Sequence, residues 1–176
     1  MIEEEPRPFW GAILRCIRGL VERFEESPYF FYKESDAKCY LYQLLIGEEQ
    51  FRKYYKTADG KDTCLVHTEY PSSGNLPIDL VVLDPYGFDT RTFKKQKISC
   101  AIELKLWDSA GYNPEQERKI RGIIVEKGTT SFIIYLARGG GGGWEYFKSK
   151  FDEFKIRNEE IFFESNKAMA LVTRTE

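Results

Sequence analysis

Histidine is almost missing from this sequence: His67 is the only one among 176 residues. That excludes a histidine-rich metal centre. A His-based triad would depend on one residue inside a predicted strand, where a packed histidine is the simpler reading. Cysteine is sparse and scattered. Cys16, Cys39, Cys64 and Cys100 include no C-x-x-C pair, so neither a zinc site nor a secreted disulfide framework fits, and reduced buried thiols are expected. No apolar run approaches the ~18 residues that a bilayer span needs. An excess of positive charge is lacking too: 26 Lys and Arg against 28 Asp and Glu give a net charge of −2. A nucleic-acid partner would have to be gripped by locally segregated basic groups. The opening "MIEEEPRPFW" is acidic where an export signal would be basic, so a cytoplasmic chain with no membrane association is the expectation.

What is present is ordinary globular material, 42% hydrophobic and 15% aromatic, enough for one well-cored domain over 1–176 and short for two. There is no internal repeat. Ile13, Ile17, Leu20, Val21 and Phe24 recur at helical spacing within 8–25, predicting an N-terminal helix over 1–26. "SPYFFYKESD" follows, with Ser27-Pro28 or Ser35 as alternative starts of a second helix. Its stripe is Ala37, Leu41, Leu44 and Leu45, running toward Tyr55 unless Gly47 breaks it. "TADGKD" is a turn by composition. Strands are expected at 63–70, 76–84 and 97–107. A loop and helix are expected over 108–128, a buried strand over "TSFIIYLA", a short helix in "EYFKSKFDEF" and a last strand in "KAMALVTRT". Short loops join the first three strands, predicting antiparallel hairpins, and the later strands are expected in parallel crossovers. The fold class is therefore α/β, a mixed central β-sheet flanked by helices.

Charge sits inside two of these strands. In 97–107, Ile98, Cys100, Ile102, Leu104 and Leu106 share one apolar face, while Ser99, Ala101, Glu103, Lys105 and Trp107 share the other. In "LPIDLVVLD" everything after Asp79 is apolar on both faces, as in a central strand, so Asp79 stands at the mouth of a core strand. A buried carboxylate needs a cation. Lys105 in a structural ion pair is one reading, but a single lysine neutralises only one of the two acids. A divalent ion held by both is the other, and hard oxygen donors in small number suit Mg²⁺.

"PID" at 77–79 and "ELK" at 103–105 together resemble the signature of the PD-(D/E)XK nuclease superfamily, which has the restriction-endonuclease-like fold. Ile78 interrupts the Pro-Asp pair, and the gap between the two motifs is long. The resemblance covers 34–137 and implies an α-β-β-β-α-β core, to which 1–26 adds a helix and 138–176 a helix and strand. It further implies a DNA endonuclease using Mg²⁺ or Mn²⁺, with Asp79, Glu103 and the Leu104 backbone carbonyl as metal ligands. Lys105 would position the attacking water, and a glutamate from the preceding helix would join the site. Glu34 fits best, because it shares the stripe of Ala37 and Leu41; Asp36 points more to the side and is the second choice, and helix-terminal charge compensation is the competing explanation for Glu34. By the same resemblance Glu69 and Gln116 are secondary candidates, and helices in the place of 116–121 lend a Gln or Lys to substrate phosphate.

The basic runs at 91–97 (with Lys94 and Lys95), 117–121 (with Lys119) and 148–150 are candidate DNA contacts, although such runs are commonly solvated surface. "GGGGG" at 139–143 is followed by Trp144 where a Walker loop has Gly-Lys-Ser/Thr, so NTP chemistry is not expected. Two other organisations compete with a self-sufficient nuclease. One is a non-catalytic DNA-binding or assembly module that keeps the fold. The other is a nuclease working as a homodimer or inside a larger assembly.

Overall fold

The structure, a computed structural model, describes residues 9–71, 77–107, 129–138, 160–164 and 168–174. It is a mixed α/β arrangement. Two helices, α1 (Trp10–Glu26) and α2 (Glu34–Gly47), precede a small hairpin of β1 (Tyr55–Lys56) and β2 (Asp62–Thr63). A six-stranded sheet follows: β3 (Val66–Tyr70), β4 (Ile78–Leu83), β5 (Ile98–Trp107), β6 (Thr130–Ala137), β7 (Glu160–Glu164) and β8 (Ala168–Arg174). Its spatial order is β3-β4-β5-β6-β8-β7.

Both helices form where apolar residues recur every three or four positions. α1 buries Ile13, Ile17, Leu20, Val21 and Phe24, and α2 buries Ala37, Leu41 and Leu45. Leu44 is only half-buried, and α2 stops at Gly47 instead of running toward Tyr55. Between the alternative starts the helix takes the later one: Asp36 accepts the backbone N–H groups of Tyr32 and Lys33 and so caps the first turn. These stripes pack with one apolar face of the sheet, built from Leu80 and Val82, Cys100, Ile102 and Leu104, and Phe132, Ile134 and Leu136. The Trp10 ring stacks on Phe132 with centroids 5.2 Å apart.

The pairings β3/β4 and β4/β5 are antiparallel and β5/β6 is parallel, as the loop lengths predict. The last strand corrects the expectation. β8 runs antiparallel to β6, because it arrives from β7, a neighbouring strand absent from the sequence reading, through a connection too short for a crossover. Two smaller corrections concern the start of the sheet. Thr63 belongs to the small hairpin, so β3 begins only at Val66, and the "TADGKD" turn is the tip of that hairpin. The helices expected within 108–128 and 145–154 lie outside the described residues, as do Gln116, Lys119 and the glycine run.

One mismatch in strand length positions everything that follows. Pairing between β4 and β5 ends at Leu80 and Ile102, whereas β5 continues beside β6 to Trp107. Beyond Ile102, the β4-facing edge of β5 has no backbone pairing with β4 among the described residues. The start of β4, the end of β3, the end of β6 and the first turn of α2 all meet at that end.

Candidate active site

In a strand, alternate residues direct both N–H and C=O to the same side. The N–H groups of Leu104 and Leu106 face the side that β4 has left, and carboxylates take them instead. Asp79 Oδ2 accepts from Leu104 N at 2.9 Å, and Glu34 Oε2 accepts from Leu106 N at 3.3 Å. The Leu104 carbonyl leaves β5 on the same side. Asp79 is therefore the residue that ends the ladder: its side chain satisfies the amide that the next β4 residue would have paired.

The strand parity expected from sequence holds. Asp79, Glu103 and Lys105 are all buried. Lys105 Nζ lies 2.8 Å from Glu103 Oε1, 3.3 Å from Glu34 Oε1 and 3.7 Å from Asp79 Oδ2. Glu34 thus joins the cluster from α2. Its side chain keeps 36% of its surface exposed, whereas that of Lys105 keeps 4%. Burial alone would push the Lys105 ammonium down. The fields of Glu103, Asp79 and Glu34 outweigh it, and its pKa stands above the ordinary lysine value.

A second lysine, which the sequence reading missed, completes the cluster. Lys38 lies one helical turn after Glu34 on the same side of α2. It is 3.5 Å from Asp79 Oδ1 and ion-paired with Glu69. Burial pulls its pKa down, and its bond to Glu69 with the charge of Asp79 raises it overall. The i, i+4 spacing from Glu34 places Lys38 on a shared face, but exposed helix faces carry the same spacing. Glu69 consequently touches the site through Lys38. It does so from a left-handed backbone, φ 50°, a conformation rarely held by a non-glycine residue outside functional or strained positions.

Other sequence candidates are not brought here. Lys94 and Lys95 are exposed in a 3-10 turn beyond the opposite end of β4 and β5. His67 is a packed strand histidine. Its Nε2 lies 3.0 Å from both Thr63 Oγ1 and the Cys64 carbonyl, and burial holds its pKa below the usual value. Of the thiols, Cys16 and Cys100 are buried, Cys64 is half-buried and Cys39 is exposed, so the expectation of buried thiols fails at Cys39.

Among the described residues, four linked carboxylates (Glu34, Glu69, Asp79, Glu103) face two ammonium groups (Lys38, Lys105), an excess of two negative charges. Their donor set of hard oxygens and that excess both suit a divalent cation such as Mg²⁺ or Mn²⁺. As they stand, no three acidic, imidazole or thiol groups among the described residues converge on a common metal position. Three of the acids surround the Lys105 ammonium instead. A metal would enter by taking over part of the charge that Lys105 now balances. No helix among the described residues is long and apolar enough to cross a membrane. Comparison with family models, curated proteins and solved structures gives no match.

Proposed function

We propose that this protein is a divalent-metal-dependent endonuclease of the PD-(D/E)XK kind, hydrolysing DNA phosphodiester bonds at the Asp79 end of β4. The observation that carries the reading is the meeting of Glu34, Asp79, Glu103 and Lys105 where β4 and β5 part. Asp79 and Glu103 would hold the ion together with the Leu104 carbonyl, and Glu34 would complete the set. The ion, when bound, would supply Lewis-acid polarisation of the scissile phosphate and an activated water. The Lys105 ammonium, 2.8 Å from Glu103 and 3.7 Å from Asp79, would orient the attacking water and stabilise charge developing on the phosphate oxygens. Lys38 pairs with both Asp79 and Glu69, and so fixes the position of the Asp79 carboxylate from the α2 side.

A second reading has one observation in its favour. The ammonium at the focus of three acids is also what a purely structural ion cluster would look like, in a DNA-binding or assembly module that does not cut. Nicking of supercoiled plasmid with Mg²⁺, and with EDTA as control, separates the two. Wild-type protein is expected to nick only with the metal, and Asp79→Ala or Lys105→Ala to lose at least ~10²-fold in rate. Equal cutting by wild type and both variants would refute the site assignment.

A further inference from the structure

The chain between α1 and α2 reads Ser-Pro-Tyr-Phe-Phe-Tyr-Lys and runs directly into Glu34. Its four consecutive aromatics divide unequally. Phe31 is driven into the core, where its ring lies 6.5 Å from that of Phe24 and 5.4 Å from that of Tyr40. Tyr29, Phe30 and Tyr32 remain in solvent, 81%, 48% and 84% exposed. Adjoining exposed aromatics leave apolar burial unrealised and mark a surface that meets something.

The backbone beneath these rings is pinned. Arg138, at the end of β6, donates from Nε to the Pro28 carbonyl at 3.0 Å and from its terminal nitrogen to the Phe31 carbonyl. Positive charge is interleaved with the rings. The Arg138 guanidinium lies 5.6 Å from the Tyr29 centroid, and that of Arg23, which also pairs with Glu26, lies 4.1 Å from the Phe30 centroid. Lys33 is exposed beside Tyr32. Tyr32 is two residues from Glu34, no more than ~7 Å along the chain.

Resting on the nuclease reading of the adjoining site, we infer that this loop is a stacking platform for the unpaired bases of single-stranded DNA. Ring faces accept any base, because every base has a π-face, while the exposed Lys33 beside Tyr32 is placed to meet a phosphate. Duplex DNA keeps its bases stacked on each other and gains only the charge contacts. The substrate class is therefore a single strand, flap or frayed end whose backbone passes from Tyr32 to the carboxylates. A chain of net charge −2 has little general grip on a duplex, and base stacking supplies what its charge does not.

Fluorescence anisotropy in EDTA tests this without any cutting, using labelled oligo-dT and a duplex of the same length. Wild-type protein is expected to bind oligo-dT more tightly than duplex, with quenching of its tyrosine emission. Tyr29→Ala/Tyr32→Ala should bind oligo-dT roughly tenfold or more weakly. Tyr32→Ala alone, a change at a side chain almost wholly in solvent, should show part of that loss with an unchanged melting temperature. Tyr54 and Tyr86, 80% and 69% exposed near the far end of β4, provide the control, and Tyr54→Ala/Tyr86→Ala should bind as wild type does. Failure of wild type to bind oligo-dT would overturn the platform. So would equal binding by the Tyr29/Tyr32 variant, or equal loss in both double variants. If this binding pattern appears but no plasmid is cut with Mg²⁺, the nuclease reading falls and the platform stands. If cutting occurs without the pattern, the reverse holds.

Discussion

The two ends of the β4/β5 pair carry the same ingredients in different proportions. At the far end one carboxylate, Asp84, meets one ammonium, Lys97, at 3.3 Å, with 19% and 37% of their side chains exposed. Backbone pairing continues there, with Asp84 N donating to the Lys97 carbonyl, and the chain leaves through a turn in which Asp84 accepts from Tyr86 N. Within that pair, one charge meets one opposite charge. At the Asp79 end backbone pairing stops short, carboxylates take the vacated amides, and among the described residues four acids share two lysines in a mostly buried setting. An isolated, partly exposed pair of equal and opposite charges is a strut of small value. An unequal buried cluster is held at a cost that folding alone does not explain, and such places are where function is sought.

Removing lysines should widen this contrast most. Lys105→Met breaks the buried Lys105–Glu103 pair, which costs ~3–5 kcal/mol. At ~2–4 °C per kcal/mol for a chain of this size, the melting temperature should fall by roughly 6–20 °C. Lys97→Met should cost no more than ~1 kcal/mol and a few degrees. A similar small loss at both positions would erase the distinction between cluster and strut.

Removing acids should have opposite signs at the two ends. In EDTA, Asp79→Asn relieves part of the negative excess, and its amide oxygen can still accept from Leu104 N. The melting temperature should hold or rise by about 1 kcal/mol worth of stability, a few degrees. Asp84→Asn strands Lys97 and should lower it slightly. Thermal melts of the two variants decide the matter, and a clear loss in Asp79→Asn would argue against a surplus of acid.

The pH dependence should be the smallest effect. The pKa of Lys105 is raised in the folded protein, so its contribution is fully present below the ordinary lysine value of 10.5 and is lost as pH rises through the folded value. The stability gap between wild type and Lys105→Met should be constant from neutral pH to about 9 and close only above ~10.4. A gap that closes between pH 6 and 8 would mean that a different group is responsible.

Much of this was legible in the chain because strand parity is strict. Placing Glu103 and Lys105 on one face, and Asp79 where a core strand begins, needs only a period of two, and the helical stripe carried Glu34 to them. What escaped was set by tertiary geometry. The premature end of the β4/β5 ladder, which turns the Leu104 and Leu106 amides into partners for Asp79 and Glu34, depends on relative strand length that no single segment reveals. Lys38 carries no distinct signal in the chain, because a lysine four residues after a glutamate is equally the pattern of an exposed helix face. β7 is five residues with a glutamate at each end, too short for alternation to stand out, and without it the direction of β8 was misjudged. In "SPYFFYK" the aromatic run was plain, but which ring is buried follows from Arg138, more than a hundred residues later.

Calorimetric titration of Mn²⁺ into the wild-type protein, Asp79→Asn, Glu103→Gln and Asp84→Asn tests the central claim most directly. The account predicts a saturable site in wild type and in Asp84→Asn that disappears in Asp79→Asn and in Glu103→Gln. No saturable binding in wild type, or binding that survives the loss of Asp79 and of Glu103, would contradict it.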